Sequence, residues 1–143
     1  EAVKIGDPMD PATQMGPLAM ARQLLRVQQY IDVGIKEGAT LVTGGPGRPA
    51  EVNRGYYVRP TVFADVKPEM RIAREEIFGP VLSIMNYETE EQAIEIANGT
   101  PFGLAGFVQS KDAERARRVA NRIRAGRVYL NGAPFDRRLP FGG

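Results

Sequence analysis

Along this chain, apolar residues recur first at helical and then at strand spacing, and breaker residues between them mark out the elements. Residues 6–17 carry three prolines and two glycines in twelve positions, too many for regular structure, so an extended loop is expected there. No proline occurs from 18 to 37. Over that stretch Leu24, Val27, Ile31 and Ile35 recur at helical spacing against Arg22, Arg26, Gln29 and Lys36, which predicts an amphipathic helix stopped by Gly38. Residues 40–43 predict a brief strand entering the Gly44-Gly45-Pro46-Gly47 turn. Residues 57–66 are rich in aromatic and β-branched side chains, but Pro60 has no backbone donor, so an edge or irregular strand is expected. Residues 69–76 have room for a short helix before Gly79-Pro80 stops it.

Beyond Pro80 the alternation is regular. Residues 81–87 predict a strand, and Thr89 with Gln92 is a capping-box signature for a helix that turns Ala93, Ile94 and Ala97 inward until Asn98-Gly99. A strand follows over 104–109. Ser110 is then expected to cap a helix running to Ala125, with Ala113, Ala116, Val119, Ala120 and Ile123 along one side, before a last strand over 127–131. This β-α-β-α-β order predicts an α/β fold in which three parallel strands are joined by two crossover helices. Open α/β sheets place ligands beyond the carboxyl ends of their strands, which draws attention to the loops at 98–103 and 131–143.

Composition narrows the chemistry. The 143 residues are 43% hydrophobic and 25% charged, with a net charge of only +2, as in an ordinary globular domain. Zero cysteines exclude a thiol nucleophile, a disulfide and a thiolate metal site within these residues, and zero histidines exclude an imidazole base or ligand, so no metal site is expected. Any catalysis here must use carboxylates, Lys, Arg, Tyr or a cofactor. No apolar run approaches the ~20 residues that span a bilayer, and no basic-then-apolar leader pattern opens the chain; a cytoplasmic location without a membrane partner is expected.

The segment Glu75-Glu76-Ile77-Phe78-Gly79-Pro80-Val81 places two carboxylates and a phenyl ring on a turn just before a strand. Such a carboxylate can accept hydrogen bonds from both hydroxyls of a ribose while the ring lies against a heterocycle. The alternative is a solvated helix end with Phe78 in the core. Arg115, Arg117, Arg118, Arg122, Arg124 and Arg127 could in principle track a phosphate backbone, as in a non-catalytic basic binding module. Asp112 and Glu114 interleave with them and no recognition motif surrounds them, so they read as the polar face of a helix, and no nucleic-acid partner is expected. Arg137 and Arg138 lie in the loop beyond the last strand, as site residues or as part of a tail.

Residues 75–81, preceded by Met70-Arg71-Ile72-Ala73-Arg74, resemble the EEIFGPV block of the NAD(P)-dependent aldehyde dehydrogenases. The rest of the chain agrees in order: Gly6-Asp7-Pro8, Met15-Gly16-Pro17-Leu18, Gly44-Gly45, Gly55-Tyr56-Tyr57 with Pro60-Thr61-Val62, Gly103-Leu104-Ala105, Gly126 with Asn131, and Pro140-Phe141-Gly142-Gly143. The resemblance implies a three-layer α/β fold with a mainly parallel sheet, here incomplete. Residues 1–143 would be part of the catalytic domain, with the dinucleotide-binding domain, the catalytic-cysteine segment and the carboxyl-terminal tail lying outside it.

It further implies that Glu76 holds the nicotinamide ribose of NAD or NADP and that Phe78 packs near the nicotinamide. Gln23 and Arg26 match positions that approach the cofactor ribose. Phe141 matches an aromatic residue lining the aldehyde pocket, Phe135 lies in the adjoining variable loop and joins the pocket candidates, and Asp136, Arg137 and Arg138 fall where substrate choice is shaped. The intact enzyme would oxidise a small-molecule aldehyde to a carboxylic acid through a cysteine thioester and would be a homo-oligomer. An acylating or semialdehyde-specific dehydrogenase of the same fold is the alternative. The isolated chain, without the nucleophile, is expected to be inactive.

Overall fold

The structure is a computed structural model that describes residues 3–136, 138 and 142. It divides into two compact units, Glu1–Asn86 and Tyr87–Gly143. In the first, helix α1 (Ala21–Lys36) is followed by strands β1 (Thr40–Thr43) and β2 (Thr61–Ala64), the short helix α2 (Arg71–Arg74) and strand β3 (Val81–Ser83). The second holds α3 (Glu90–Asn98), β4 (Ala105–Val108), α4 (Ala113–Ala120) and β5 (Arg127–Leu130). The class is α/β: β2 pairs parallel with β3 and β4 parallel with β5, while β1 joins β2 antiparallel. No helix among the described residues is long and apolar enough to cross a membrane.

In the first unit, α1 buries Val27, Tyr30, Ile31 and Gly34 against Phe63, Val66, Ile72 and Ile77. Its apolar stripe passes through Gly34 and leaves Ile35 exposed, contrary to the expected placement. Gly34 lets the helix approach closely, because a Cβ there would stand 3.0 Å from both Phe63 Cζ and Ile72 Cδ1. Met20 gives α1 no side-chain cap. A missing cap costs about 1 kcal/mol, whereas burying Val27 and Ile31 contributes roughly 1.5–3 kcal/mol each, so packing decides that this helix forms. Gly38, at φ 90°, ends it as expected.

Of the edge or irregular strand expected over 57–66, the irregularity is present, with strand only at Thr61–Ala64 and a register shift against β1, but the edge needs correction. Strand β2 is the central strand of the β1-β2-β3 sheet, with Thr61 and Phe63 buried, rather than an edge. Pro60 precedes the strand, so its missing donor interrupts nothing, and Thr61 N–H donates to the Pro80 carbonyl at 2.8 Å. The expected single parallel sheet across 81–131 is also corrected. β3 spends its pairing on β2, and β4 and β5 form a separate two-stranded sheet in the second unit. Strand β3 is shorter than expected, ending at Ser83.

In the second unit, Thr89 caps α3 by accepting from Gln92 N–H, and Gln92 Oε1 accepts from Glu88 N–H, one residue earlier than in the expected box. Ile94 is buried, but Ala97 is exposed rather than inward. Helix α4 is capped by Asp112, not Ser110, and ends at Ala120. The Asp112 carboxylate accepts from both Glu114 and Arg115 N–H at 3.0 Å, while Ser110 Oγ accepts only from Asp112 N–H. A carboxylate satisfying two orphan donors at a helix start outcompetes a hydroxyl satisfying none of them. Phe107 and Tyr129, partners across β4 and β5, stack with centroids 5.0 Å apart.

Candidate functional site

The turn between α2 and β3 is built from the residues that follow the last helical turn. Glu75 is extended, Ile77 is buried and anchors the turn in the core, and Phe78 takes φ 55°. A bulky residue in the left-handed region is unfavourable by about 1–2 kcal/mol, so the surroundings must hold it there. That conformation leaves the ring 73% exposed, which rules out Phe78 as a core residue.

Two side chains of α1, three residues apart and so on one helix face, grip the turn. Gln23 Nε2 donates to the carbonyls of Ile77 at 2.9 Å and Phe78 at 2.6 Å. Arg26 donates to the carbonyl of Glu76 at 2.8 Å. Three successive carbonyls are thereby fixed from one helix. The four residues expected at a cofactor, Gln23, Arg26, Glu76 and Phe78, come together here, with Gln23 and Arg26 on the backbone of the turn that carries the other two.

The two adjacent carboxylates have opposite surroundings. Glu75 receives Arg71 Nε at 2.9 Å and the Tyr30 hydroxyl at 2.5 Å. The Arg71 hydrogen bond, then that of Tyr30, holds its carboxyl at about 2, far below the usual carboxylate range. Glu76 is exposed, and its carboxylate has no hydrogen-bond partner among the described residues. Glu75 is thus committed to the fold, while Glu76 is exposed and without a side-chain partner among the described residues, two positions before the exposed Phe78. This combination suits a vicinal diol with an adjoining flat heterocycle.

Sequence reasoning missed Tyr30 and Arg71. Their signals were the i,i+4 spacings Arg26–Tyr30 and Arg71–Glu75. Arg26 also lies over the Tyr30 ring, 4.9 Å from its centroid, and Arg71 at 5.5 Å.

Of the substrate-pocket candidates, Phe135 belongs to the second unit. Phe135 is exposed, with the Arg127 guanidinium 4.6 Å from its ring centroid. Phe141 and Arg137 lie outside the described residues. Arg138 pairs with Asp136 at 2.8 Å and holds that carboxyl below its ordinary value. The arginine-rich segment works within its own unit: Arg115 and Arg118 of α4 pair with Glu90, and beyond the helix Arg122 pairs with Glu91 and Arg124 donates to the carbonyls of Asn98 and Thr100.

Residues 1–143 match the sequence profile of the aldehyde dehydrogenase family. A 3-succinoylsemialdehyde-pyridine dehydrogenase of a Pseudomonas species is 52% identical over 99% of the chain, which covers 30% of that protein. Among solved structures, a variant of aldehyde dehydrogenase C from Pseudomonas syringae, in complex with NAD+ and octanal, superposes with a TM-score of 0.96 at 52% identity, over 98% of this chain and 29% of that one. An aldehyde dehydrogenase of Mycobacterium tuberculosis, in complex with NAD+, gives a TM-score of 0.94 at 51% identity, over 99% and 29% respectively. The chain therefore spans about 30% of the length of the relatives it matches.

Proposed function

Because this chain belongs to the aldehyde dehydrogenase family, we propose that it forms part of the catalytic domain of an enzyme that oxidises an aldehyde to a carboxylic acid with NAD+, and that the 75–79 turn holds the nicotinamide end of the cofactor. The observation that carries this is the exposed Glu76 carboxylate, unpartnered among the described residues and two positions before the exposed Phe78, on a turn whose carbonyls at 76, 77 and 78 are held by α1. Glu76 would accept from the ribose hydroxyls, and Phe78 would lie beside the nicotinamide. Gln23 and Arg26 would set their height, with any direct ribose contact of their own secondary to that. The cofactor supplies a hydride acceptor.

A cysteine elsewhere in the parent protein would form the thioester, since these residues contain none. NAD+ is favoured over NADP by the NAD+ complexes of similar proteins. Aliphatic aldehydes are the first substrate reading, from the octanal complex, and a semialdehyde is the second, from the pyridine-semialdehyde relative. Phe135 and Phe141 belong to the proposed aldehyde pocket. The parent protein is proposed to be cytoplasmic and homo-oligomeric.

The test is Glu76→Gln in the full-length protein, followed by single-turnover NADH formation and melting temperature. A charge-assisted hydrogen bond contributes roughly 1.5–3 kcal/mol, so hydride transfer should slow by about one to two orders of magnitude with the melting temperature preserved. An unchanged rate removes Glu76 from the site.

A further inference from the structure

Glu76 is exposed, yet its backbone is held from both sides, and both holds meet at one buried hydroxyl. Tyr30 is 6% exposed. Its hydroxyl donates to Glu75 Oε2 at 2.5 Å and accepts from Arg26 at 3.1 Å. The same Arg26 nitrogen donates to the Glu76 carbonyl at 2.8 Å. Glu75, immediately before Glu76, is also clamped by two nitrogens of the Arg71 guanidinium, at 2.9 and 3.1 Å, and the Arg71 backbone N–H donates to the Glu37 carboxylate at the end of α1. Tyr30 therefore couples the residue before Glu76 to the cation that grips Glu76 itself.

We infer that Tyr30 is a positioning residue for the nicotinamide-facing turn, acting through Glu75 and Arg26 to fix the main chain from which the Glu76 carboxylate projects. The inference rests on the reading of Glu76 given above. Three features favour positioning over mere core filling. The ring, buried in the core cluster with the Arg26 and Arg71 guanidiniums over it, packs without the hydroxyl. Its two partners bracket Glu76: Glu75 precedes it, and Arg26 holds its carbonyl. And Glu76 and Phe78 make no side-chain hydrogen bonds of their own among the described residues, so the direction of the carboxylate depends on the backbone beneath it. A small misplacement of a positioned group costs rate without a matching loss of affinity.

The experiment uses the full-length protein. Tyr30→Phe keeps the ring and deletes the hydroxyl, and Glu75→Gln keeps the size and weakens the same bond. Amide hydrogen exchange without nucleotide reads the turn directly. The Glu75 amide, bonded to the Arg71 carbonyl, and the Val81 amide, bonded to the Gly79 carbonyl, bracket it. Both should exchange several-fold faster in each variant, while the Ile84 amide, bonded to the Phe63 carbonyl of β2, keeps its protection. Single-turnover NADH formation should slow by about tenfold, with NAD+ affinity within about twofold, since a neutral or singly charged hydrogen bond is at stake. The double variant should slow by less than the product of the two single effects, because the Tyr30–Glu75 bond is common to both, while only Tyr30→Phe loses the Arg26 bond and only Glu75→Gln weakens the Arg71 pair.

Unchanged exchange at Glu75 and Val81 in Tyr30→Phe overturns the positioning role whatever Glu76 does. Faster exchange there with an unchanged rate shows that the turn is held but not for hydride transfer, and overturns the inference as well. Failure of the Glu76 reading shows separately, as an unchanged rate in Glu76→Gln.

Discussion

Gly79 lies so close to Val27 that a Cβ built on it would stand 2.4 Å from Val27 Cγ2. The contact brings the end of the 75–79 turn onto the face of α1 that also supplies Gln23 and Arg26, so the distance between helix and turn is set by the absence of a side chain. Gly79→Ala should push the turn away, lengthen the Gln23 and Arg26 bonds to its carbonyls, and destabilise the protein by about 1–3 kcal/mol, the usual cost of overpacking. The urea midpoint of the full-length variant checks this. A wild-type midpoint would mean that Val27 yields freely.

Elements whose cues are local were legible in the sequence. Helix α1, strand β1 and the Thr89 cap follow from periodicity and neighbouring breakers. What required distant partners was not. Pro60 looked like an edge marker, because nothing local shows that its missing donor falls one residue outside β2. Strand β3 looked like a neighbour of β4, because apolar alternation specifies that a strand exists and not which strand it joins. Composition and spacing did not separate Glu75 from Glu76, and only the family resemblance pointed to Glu76. In the fold the two are told apart by Tyr30, which is 45 residues away from Glu75.

Asn98 closes the second unit in a comparable way. Its Nδ2 donates to the Arg122 carbonyl at 2.8 Å and its Oδ1 accepts from Arg124 N–H at 2.7 Å, so one side chain satisfies both a donor and an acceptor on the segment leading into β5. Asn98→Ala removes both bonds and, since water reaches these exposed groups, should destabilise by about 0.5–1.5 kcal/mol. Asn98→Asp should recover part of this, since a carboxylate still accepts from Arg124 but cannot donate to Arg122. Equal stability of all three proteins in chemical denaturation would refute the bridge.

The carboxyl of Glu75 makes a prediction about acid. Its value in the fold is about 2, against 4.5 for an ordinary glutamate. The fold therefore binds this proton less readily than the unfolded chain does. The Glu75 contribution is fully present above about pH 4.5 and is lost as the pH falls through 2. Carboxyl chemical shifts of isotope-labelled protein should show no Glu75 titration between pH 5 and 3. A midpoint near 4.5 would show that neither Arg71 nor Tyr30 holds the carboxylate in solution. In Tyr30→Phe the midpoint should rise partway towards 4.5, since Arg71 is the larger of the two causes and remains.

The isolated chain should associate with itself and should not turn over aldehyde. Strands β1 and β3 bound the first sheet, and β4 and β5 bound the second, so unpaired backbone edges are present among the described residues. Those strands also carry exposed apolar side chains: Val42 is 59% exposed, Leu82 58% and Phe107 74%. Single exposed apolar residues are ordinary, but their clustering on strands with open edges is what drives edge-to-edge pairing and burial against another surface. Sedimentation velocity of the purified 143-residue polypeptide should show mass rising with concentration, and a monomer that persists at high concentration would sink the expectation. Addition of NAD+ and octanal should yield no NADH. The chain has no cysteine to form a thioester and no histidine to act as a neutral-pH base, so Glu76 and Phe78 would have a cofactor to orient but no hydride donor to face it.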